Sequence, residues 1–280
     1  MKITIWGARG SLPSPSPETN EVGGNTSCVQ VESDDTMIVL DAGSGIQRLN
    51  GNVPSHIKQI DILLTHLHLD HIMGLGFFSV LYNPKMVVNI WGPTGVNFDL
   101  ESRLTRYLSP PLFPIRLKDL PCQLNLFEVN HSAFNIGDLK ISSAYVCHPG
   151  PTLGFRIEGP SGILTYIPDH EPSLGSSNFP NVPEWTSGCS LAQNSDILLH
   201  DAQYTSDEYK TRIGWGHSTM KDAILFAEMS KTKKLLFFHH DPGRTDNHLN
   251  SLLKKEINSH PVDFEIGLAS EGDQFIIGEY

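Results

Sequence analysis

The chain reads as one α/β domain spanning residues 1–280, with mostly antiparallel or mixed sheets. Two observations carry that reading. Extended segments rich in valine, isoleucine and aromatics recur from end to end, and stretches with helical periodicity lie between or after them. A third supports it: no internal repeat or low-complexity linker divides the chain, and 39% hydrophobic residues are enough for a sizeable core.

The extended segments run KITIW, SCVQVE, TMIVLD, IDILLTH, MVVNIW, LKISSAYV, TLGFRIEG, GILTYI, DILLH, KLLFFHH and QFIIG, punctuated by Gly, Asn or Pro. HSTMKDAILFAEMSK, with Ser218 near its start, presents Ala223, Ile224, Phe226 and Ala227 as an apolar stripe. TDNHLNSLLKKEIN places Leu249, Leu252, Leu253 and Ile257 at helical spacing. Residues 92–122 differ. Pro93, Pro110, Pro111, Pro114 and Pro121 mark them as an excursion from the core, with a short helix in DLESRLTRYL and a rigid loop after it.

The formal charge is −11, from 20 basic and 31 acidic residues, and a surface that acidic repels a long nucleic acid. No apolar run is long enough to span a bilayer. MKITIWGARG reads as strand and turn rather than as a signal peptide, so a cytoplasmic protein without a membrane partner is expected. Cys28, Cys122, Cys147 and Cys189 are widely spaced, with no C-x-x-C, and are expected as reduced, mostly buried thiols.

The chemistry concentrates in THLHLDH, residues 65–71. In an extended chain, side chains two apart share a side, so His66 and His68 are expected to project together from the end of a strand. Asp70 and His71 follow where the chain turns. One pair of nitrogens and one oxygen–nitrogen pair suit two adjacent metals better than one, unlike the helical H-E-x-x-H pattern. Two metals need further ligands. His148, Asp169 and the doublet His239–His240 each stand where an apolar run ends, the usual place for a site built on sheet edges.

THLHLDH followed in order by His148, Asp169 and His239 resembles the metallo-β-lactamase fold, a four-layer αββα sandwich that holds two metals between its sheets. The resemblance implies His66, His68 and His148 on one metal, Asp70, His71 and His239 on the other, and Asp169 bridging. FHHDP is similar to the family's T-H-x-S-P when His239 rather than His240 is the ligand. VLDAGSGI, with Asp41, resembles the strand-turn that buttresses the metal loop. Two zinc ions suit the nitrogen-rich set, with manganese able to use the same ligands.

Between Asp169 and His239, DILLHDAQYTSDEY and GWGHSTMKDA resemble two elements of the RNase Z branch, which cleaves phosphodiesters. In that chemistry the metals supply polarisation and an activated water. Asp70 positions that water, His217 protonates the leaving oxygen, and Asp201 orients His217. The tRNA-processing members carry a long basic arm, whereas only the short hairpin GFRIEGPSGILTY separates His148 from Asp169 here. GARGSLPSPSPETNEVGGNTSC, SPPLFP and FHHDP resemble small bacterial and phage phosphodiesterases that include the anti-Pycsar proteins. That resemblance implies hydrolysis of 3′,5′-cyclic nucleotides (cAMP, cGMP, cCMP, cUMP) to nucleoside monophosphates. It also implies a homodimer, with the stretch from Tyr107 to Phe113 closing the pocket. The alternatives are an RNase Z-like endonuclease for tRNA 3′ processing and a lactonase or β-lactamase-type hydrolase, the latter leaving His217 and Asp201 without a role.

Overall fold

A computed structural model describes residues 1–176 and 178–278. The first sheet contains β1 (Lys2–Gly7), β2 (Cys28–Ser33), β3 (Thr36–Leu40), β4 (Gln59–Leu63), β5 (Val87–Pro93), β6 (Gln123–Val129) and β14 (Gln274–Ile276), in the order β14-β1-β2-β3-β4-β5-β6. The second contains β7 (Ser132–Ile136), β8 (Leu139–Tyr145), β9 (Leu153–Gly159), β10 (Gly162–Ile167), β11 (Ile197–Asp201), β12 (Lys234–Phe238) and β13 (Glu265–Leu268), in the order β13-β12-β11-β10-β9-β8-β7. Each is half antiparallel and half parallel: β3 to β6 run parallel in one, β10 to β13 in the other. The helices are α1 (Ile46–Leu49), α2 (Leu69–Ile72), α3 (Leu100–Tyr107), α4 (Cys189–Ala192), α5 (Ser206–Tyr209), α6 (Met220–Met229) and α7 (Asp246–Ser259).

Period-two alternation divides the apolar residues among three cores and so generates four layers. In β3, Ile38 and Leu40 face the second sheet, while Met37 and Val39 face the outer layer that holds α1 and α3. In β12, Leu236 and Phe238 enter the intersheet core; Leu235 and Phe237 pack under α6 and α7. A one-residue slip in either strand would exchange the two sets, so the strands have one usable register. The two mixed sheets flanked by helices agree with the αββα sandwich expected.

Two expectations need correction. Residues 92–122 are not an excursion. Leu100, Leu104 and Leu108 share one face of the helical stretch and are buried, and Phe113 and Leu117 continue the same outer core. The prolines stiffen the connection without lifting it away. The cap of α6 is Thr219, whose side chain accepts from the Asp222 N–H; the Ser218 hydroxyl instead donates to the His170 carbonyl. Three strands, β6, β7 and β13, also lie outside the segments read from the sequence. The cysteines are free, with Cys28, Cys122 and Cys189 buried and Cys147 partly so. Among the described residues no helix is long and apolar enough to cross a membrane.

Candidate metal centre and active site

The carboxyl ends of the parallel strands open on one crevice, where an α/β sheet commonly places its ligands. Asp41 follows β3 directly, His66 lies just beyond β4, Asp169 just beyond β10, Asp201 ends β11, and His239 follows β12. His148 arrives from the end of β8. The two histidines at the start of the cluster are not strand residues: β4 stops at Leu63, and His68 is the N-cap residue of α2, which carries Asp70 and His71 in its single turn. Their rings still converge, with centroids 4.4 Å apart.

The side chains form two groups around one carboxylate. His66, His68 and His148 bring ligand atoms within 4.8 Å of one another, as do Asp70, His71 and His239. Asp169 stands between them with one oxygen on each side. Its Oδ2 is 3.7 Å from the Nε2 atoms of both His66 and His148. Its Oδ1 is 3.1 Å from Nε2 of His71 and 3.4 Å from that of His239. Nε2 of His66, Nε2 of His71 and Oδ1 of Asp169 are buried without a hydrogen-bond partner. Lone pairs abandoned in a buried space cost free energy unless a cation takes them up. The ion-pair partners of Asp41, Asp70, Asp169 and Asp201 are all histidines. The donor set therefore fits divalent ions with nitrogen and oxygen preferences.

Outer partners fix which nitrogen faces inward. Asp41, fully buried, accepts from His71 Nδ1 at 2.8 Å, from the Tyr166 hydroxyl at 2.9 Å and from the Thr65 N–H at 2.8 Å. His148 Nδ1 donates to the Gly216 carbonyl at 2.7 Å, and His239 Nδ1 to the Gln203 side chain at 3.2 Å. The doublet separates cleanly: His239 faces the cluster, whereas His240 Nε2 donates to the Ala269 carbonyl at 3.0 Å. Burial holds the His240 imidazole neutral, with its pKa down to about 3. His239 (φ 56°) and Asp41 (φ 57°) occupy the left-handed backbone region that non-glycine residues avoid, and strain of this kind gathers at functional sites. Two glycines give the ligands room: a Cβ on Gly10 would come within 2.3 Å of His239 Nδ1, and one on Gly216 equally close to His148 Nδ1.

Burial opposes charge throughout the cluster: it prevails at His66, His68 and His148, whose imidazoles are lowered, while at His71, Asp70 and Asp169 the neighbours outweigh it. The His71 imidazole is driven well up because Asp169, Asp70 and Asp41 surround it. Asp70 and Asp169 are driven well down by the surrounding histidines. Beside the cluster, His217 Nδ1 donates to Asp201 at 2.7 Å, and its ring stacks on His239 with centroids 4.8 Å apart. Burial would lower its pKa, but the Asp201 carboxylate lifts it to about 9. Asp201 also accepts the backbone N–H groups of His170 and Gln203, so its position is set from three sides.

Every sequence-predicted site residue thus reaches this crevice, but several partners were not foreseen. Thr65, Tyr166 and Gln203 left no spacing signal. Glu171 is the most consequential: buried, it accepts the N–H groups of Gly214 and Gly216 and the Tyr209 hydroxyl, fastening the loop that leads from Tyr209 through Gly216, which orients His148, into His217. Its placement two residues after Asp169 is the only hint in the sequence. Of the 107–113 stretch, Tyr107 and Leu112 line a cleft of about 440 Å³ that begins at His66 and His68. Phe113 instead packs into its own outer core, its ring 5.4 Å from that of Phe77.

Known proteins resemble the chain over nearly its whole length. Ribonuclease Z of Thermoplasma acidophilum is 24% identical over 286 residues, covering 88% of each chain. The metallo-beta-lactamase fold protein YhfI of Bacillus subtilis superposes with a TM-score of 0.71 at 20% identity, covering 98% of both. A diphosphatase of the PhnP family does so at 0.69 and 20%, covering 98% of this chain and 97% of its own. Residues 36–240, which carry the metal cluster and His217, match the beta-lactamase superfamily domain, and the chain belongs to that superfamily.

Proposed function

We propose that the protein is a two-metal phosphodiesterase that hydrolyses 3′,5′-cyclic nucleotides to nucleoside monophosphates. The observation that carries the reaction class is His217 held by Asp201 at 2.7 Å, with the Asp169 carboxylate 4.0 Å away. Hydrolysis of lactams and lactones gives such a pair no evident task, whereas expelling an alkoxide from phosphorus needs a proton donor. His66, His68 and His148 would hold one divalent ion and Asp70, His71 and His239 the other, with Asp169 shared; zinc suits the nitrogen-rich donors, and manganese can use the same set. Bound there, the ions supply charge neutralisation of the phosphoryl group and acidify water. Asp70, whose Oδ2 also accepts the Ser11 N–H at 2.7 Å, orients the attacking water. As water adds to phosphorus and the bond to the 3′ oxygen breaks, the His217 Nε2–H protonates that oxygen, while Asp201 stabilises the imidazolium through Nδ1.

The size and charge of the protein favour a small substrate. The net charge of −11 works against a long polyanion. β9 returns into β10 through a two-residue turn, with Gly159 paired to Gly162, so no arm rises between His148 and Asp169. The cleft that begins at His66 and His68 is of mononucleotide scale. Similarity to Ribonuclease Z over 88% of the chain supports a second reading, endonucleolytic processing of tRNA 3′ ends. A hydrolysis panel decides: cAMP, cGMP, cCMP, cUMP, a precursor tRNA and a lactam, each with zinc- and manganese-loaded protein. Turnover confined to the cyclic nucleotides is expected. Cleavage of the precursor tRNA alone would transfer the assignment to the second reading.

A further inference from the structure

The cleft that starts at His66 and His68 has an unusual makeup for a site beside clustered charges. Its walls are mainly apolar: Leu67, Leu69, Tyr107, Leu112 and Pro149 contribute to them. Leu69 and Leu112 are 54% and 71% exposed, which leaves two large aliphatic side chains open to water at the rim. Two arginines of α3 also line it, and they differ. Arg103 is committed, donating to the Pro93 carbonyl and pairing with Glu128 at 3.1 Å. Arg106 lies over the Phe98 ring at 4.6 Å and, among the described residues, pairs with no carboxylate.

A phosphate gains nothing from aliphatic walls, and a run of phosphates would need a row of cations rather than one uncommitted guanidinium. A flat ring with apolar faces and a polar edge matches both features. Building on the phosphodiesterase reading above, we propose that this cleft is the base subsite: the nucleobase lies between Leu112 and the Leu67–Pro149 wall, and Arg106 donates to an acceptor on its edge. Arg106 and Leu112 then determine how well the base is held, without touching the reacting atoms.

The test compares a cyclic nucleotide with its base-free counterpart, ribose 3′,5′-cyclic phosphate, on fully metal-loaded protein. Arg106→Ala and Leu112→Asp should each raise KM for the nucleotide about tenfold, with kcat nearly kept and the penalty for the base-free compound far smaller. An equal penalty on both compounds, or none on either, overturns the subsite. If the wild-type protein turns over no cyclic nucleotide, the reading of function fails, and the subsite is judged by binding alone. Adenosine 5′-monophosphate should then bind about tenfold more tightly than ribose 5-phosphate, and Leu112→Asp should erase that difference. Equal affinity of the wild-type protein for the two would overturn the subsite as well.

Discussion

At the scale of single residues, His217 separates catalysis from metal binding. Its Nδ1 is occupied by Asp201 at 2.7 Å, so its other nitrogen is free to act as a donor. His217→Ala should keep both metals yet slow hydrolysis of a nucleotide with a poor alkoxide leaving group by about two to four orders of magnitude. The loss should be much smaller on bis(p-nitrophenyl) phosphate, whose phenolate leaves without help. Equal losses on both would assign His217 a structural or metal-binding part. The pH dependence follows from the raised pKa of about 9. The protonated acid survives above the ordinary imidazole range, and the rate falls as pH passes through the folded value. Asp201→Asn removes the main force that raises it, so the alkaline limb should move to lower pH by about one unit or more. Bound cations shift the limb in both proteins, so the difference between them is the measured quantity. An unmoved limb would detach Asp201 from the acid. The doublet offers a sharper contrast. His239→Ala should lose metal, whereas His240→Ala, which removes the hydrogen bond to the Ala269 carbonyl, should keep metal and cost about 1–3 kcal/mol of stability in denaturant melts.

At the scale of elements, the loop before α6 was announced by GWGHST, but the carboxylate that fastens it was not. Glu171 gathers the Gly214 N–H at 2.8 Å, the Gly216 N–H at 2.7 Å and the Tyr209 hydroxyl at 2.6 Å. Gly216 in turn orients His148. Glu171→Gln would turn an amide donor toward groups that must donate. The ion held by His66, His68 and His148 should then weaken by about 10- to 100-fold in chelator competition, while its neighbour on Asp70, His71 and His239 is retained. Unchanged affinity for both ions would show that the loop holds its place without Glu171. The contrast with what was legible is physical. THLHLDH stood out because four potential ligands fall in one short stretch, and the later ligands because each ends an apolar run. Glu171, Gln203, Tyr166 and Thr65 act through hydrogen bonds across the fold, which leave no period in the chain. α3 was legible as a helix, but its docking was not: prolines on both sides masked the Leu100, Leu104 and Leu108 face that buries it.

At the scale of the whole molecule, the four layers bring the carboxyl ends of β3, β4, β10, β11 and β12 to one crevice, and the cost of doing so is a buried collection of like charges. Asp41, Asp169 and Asp201 are at most 1% exposed, and Asp70 is 6% exposed. Without metal, histidines must supply the compensating charge. His71 and His217 have raised pKa values, so their stabilising contribution is complete below the unfolded imidazole value and disappears as pH rises through the folded one. Asp70 and Asp169 are depressed, so theirs is present above the carboxylate range and disappears in acid. Burial lowers His66, His68, His148, His170, His200 and His240, so these side chains oppose folding increasingly as pH falls below the unfolded imidazole value. The metal-free protein should therefore be most stable near that value, about 6.5, and weaken toward pH 9. Divalent ions replace the lost protons and bind better as the imidazoles deprotonate. Their stabilisation, about 4 kcal/mol when the free ion is near a thousand times its dissociation constant, should accordingly grow with pH at a fixed free-ion concentration. Thermal melts of chelator-treated and zinc-loaded protein at pH 6 and pH 8.5 measure it. A gap that widens at the higher pH supports a centre in which metal takes over the role of the protons. A gap equal at both values would mean that the buried carboxylates are balanced independently of the ligand histidines, and the charge argument for the metal centre would fall.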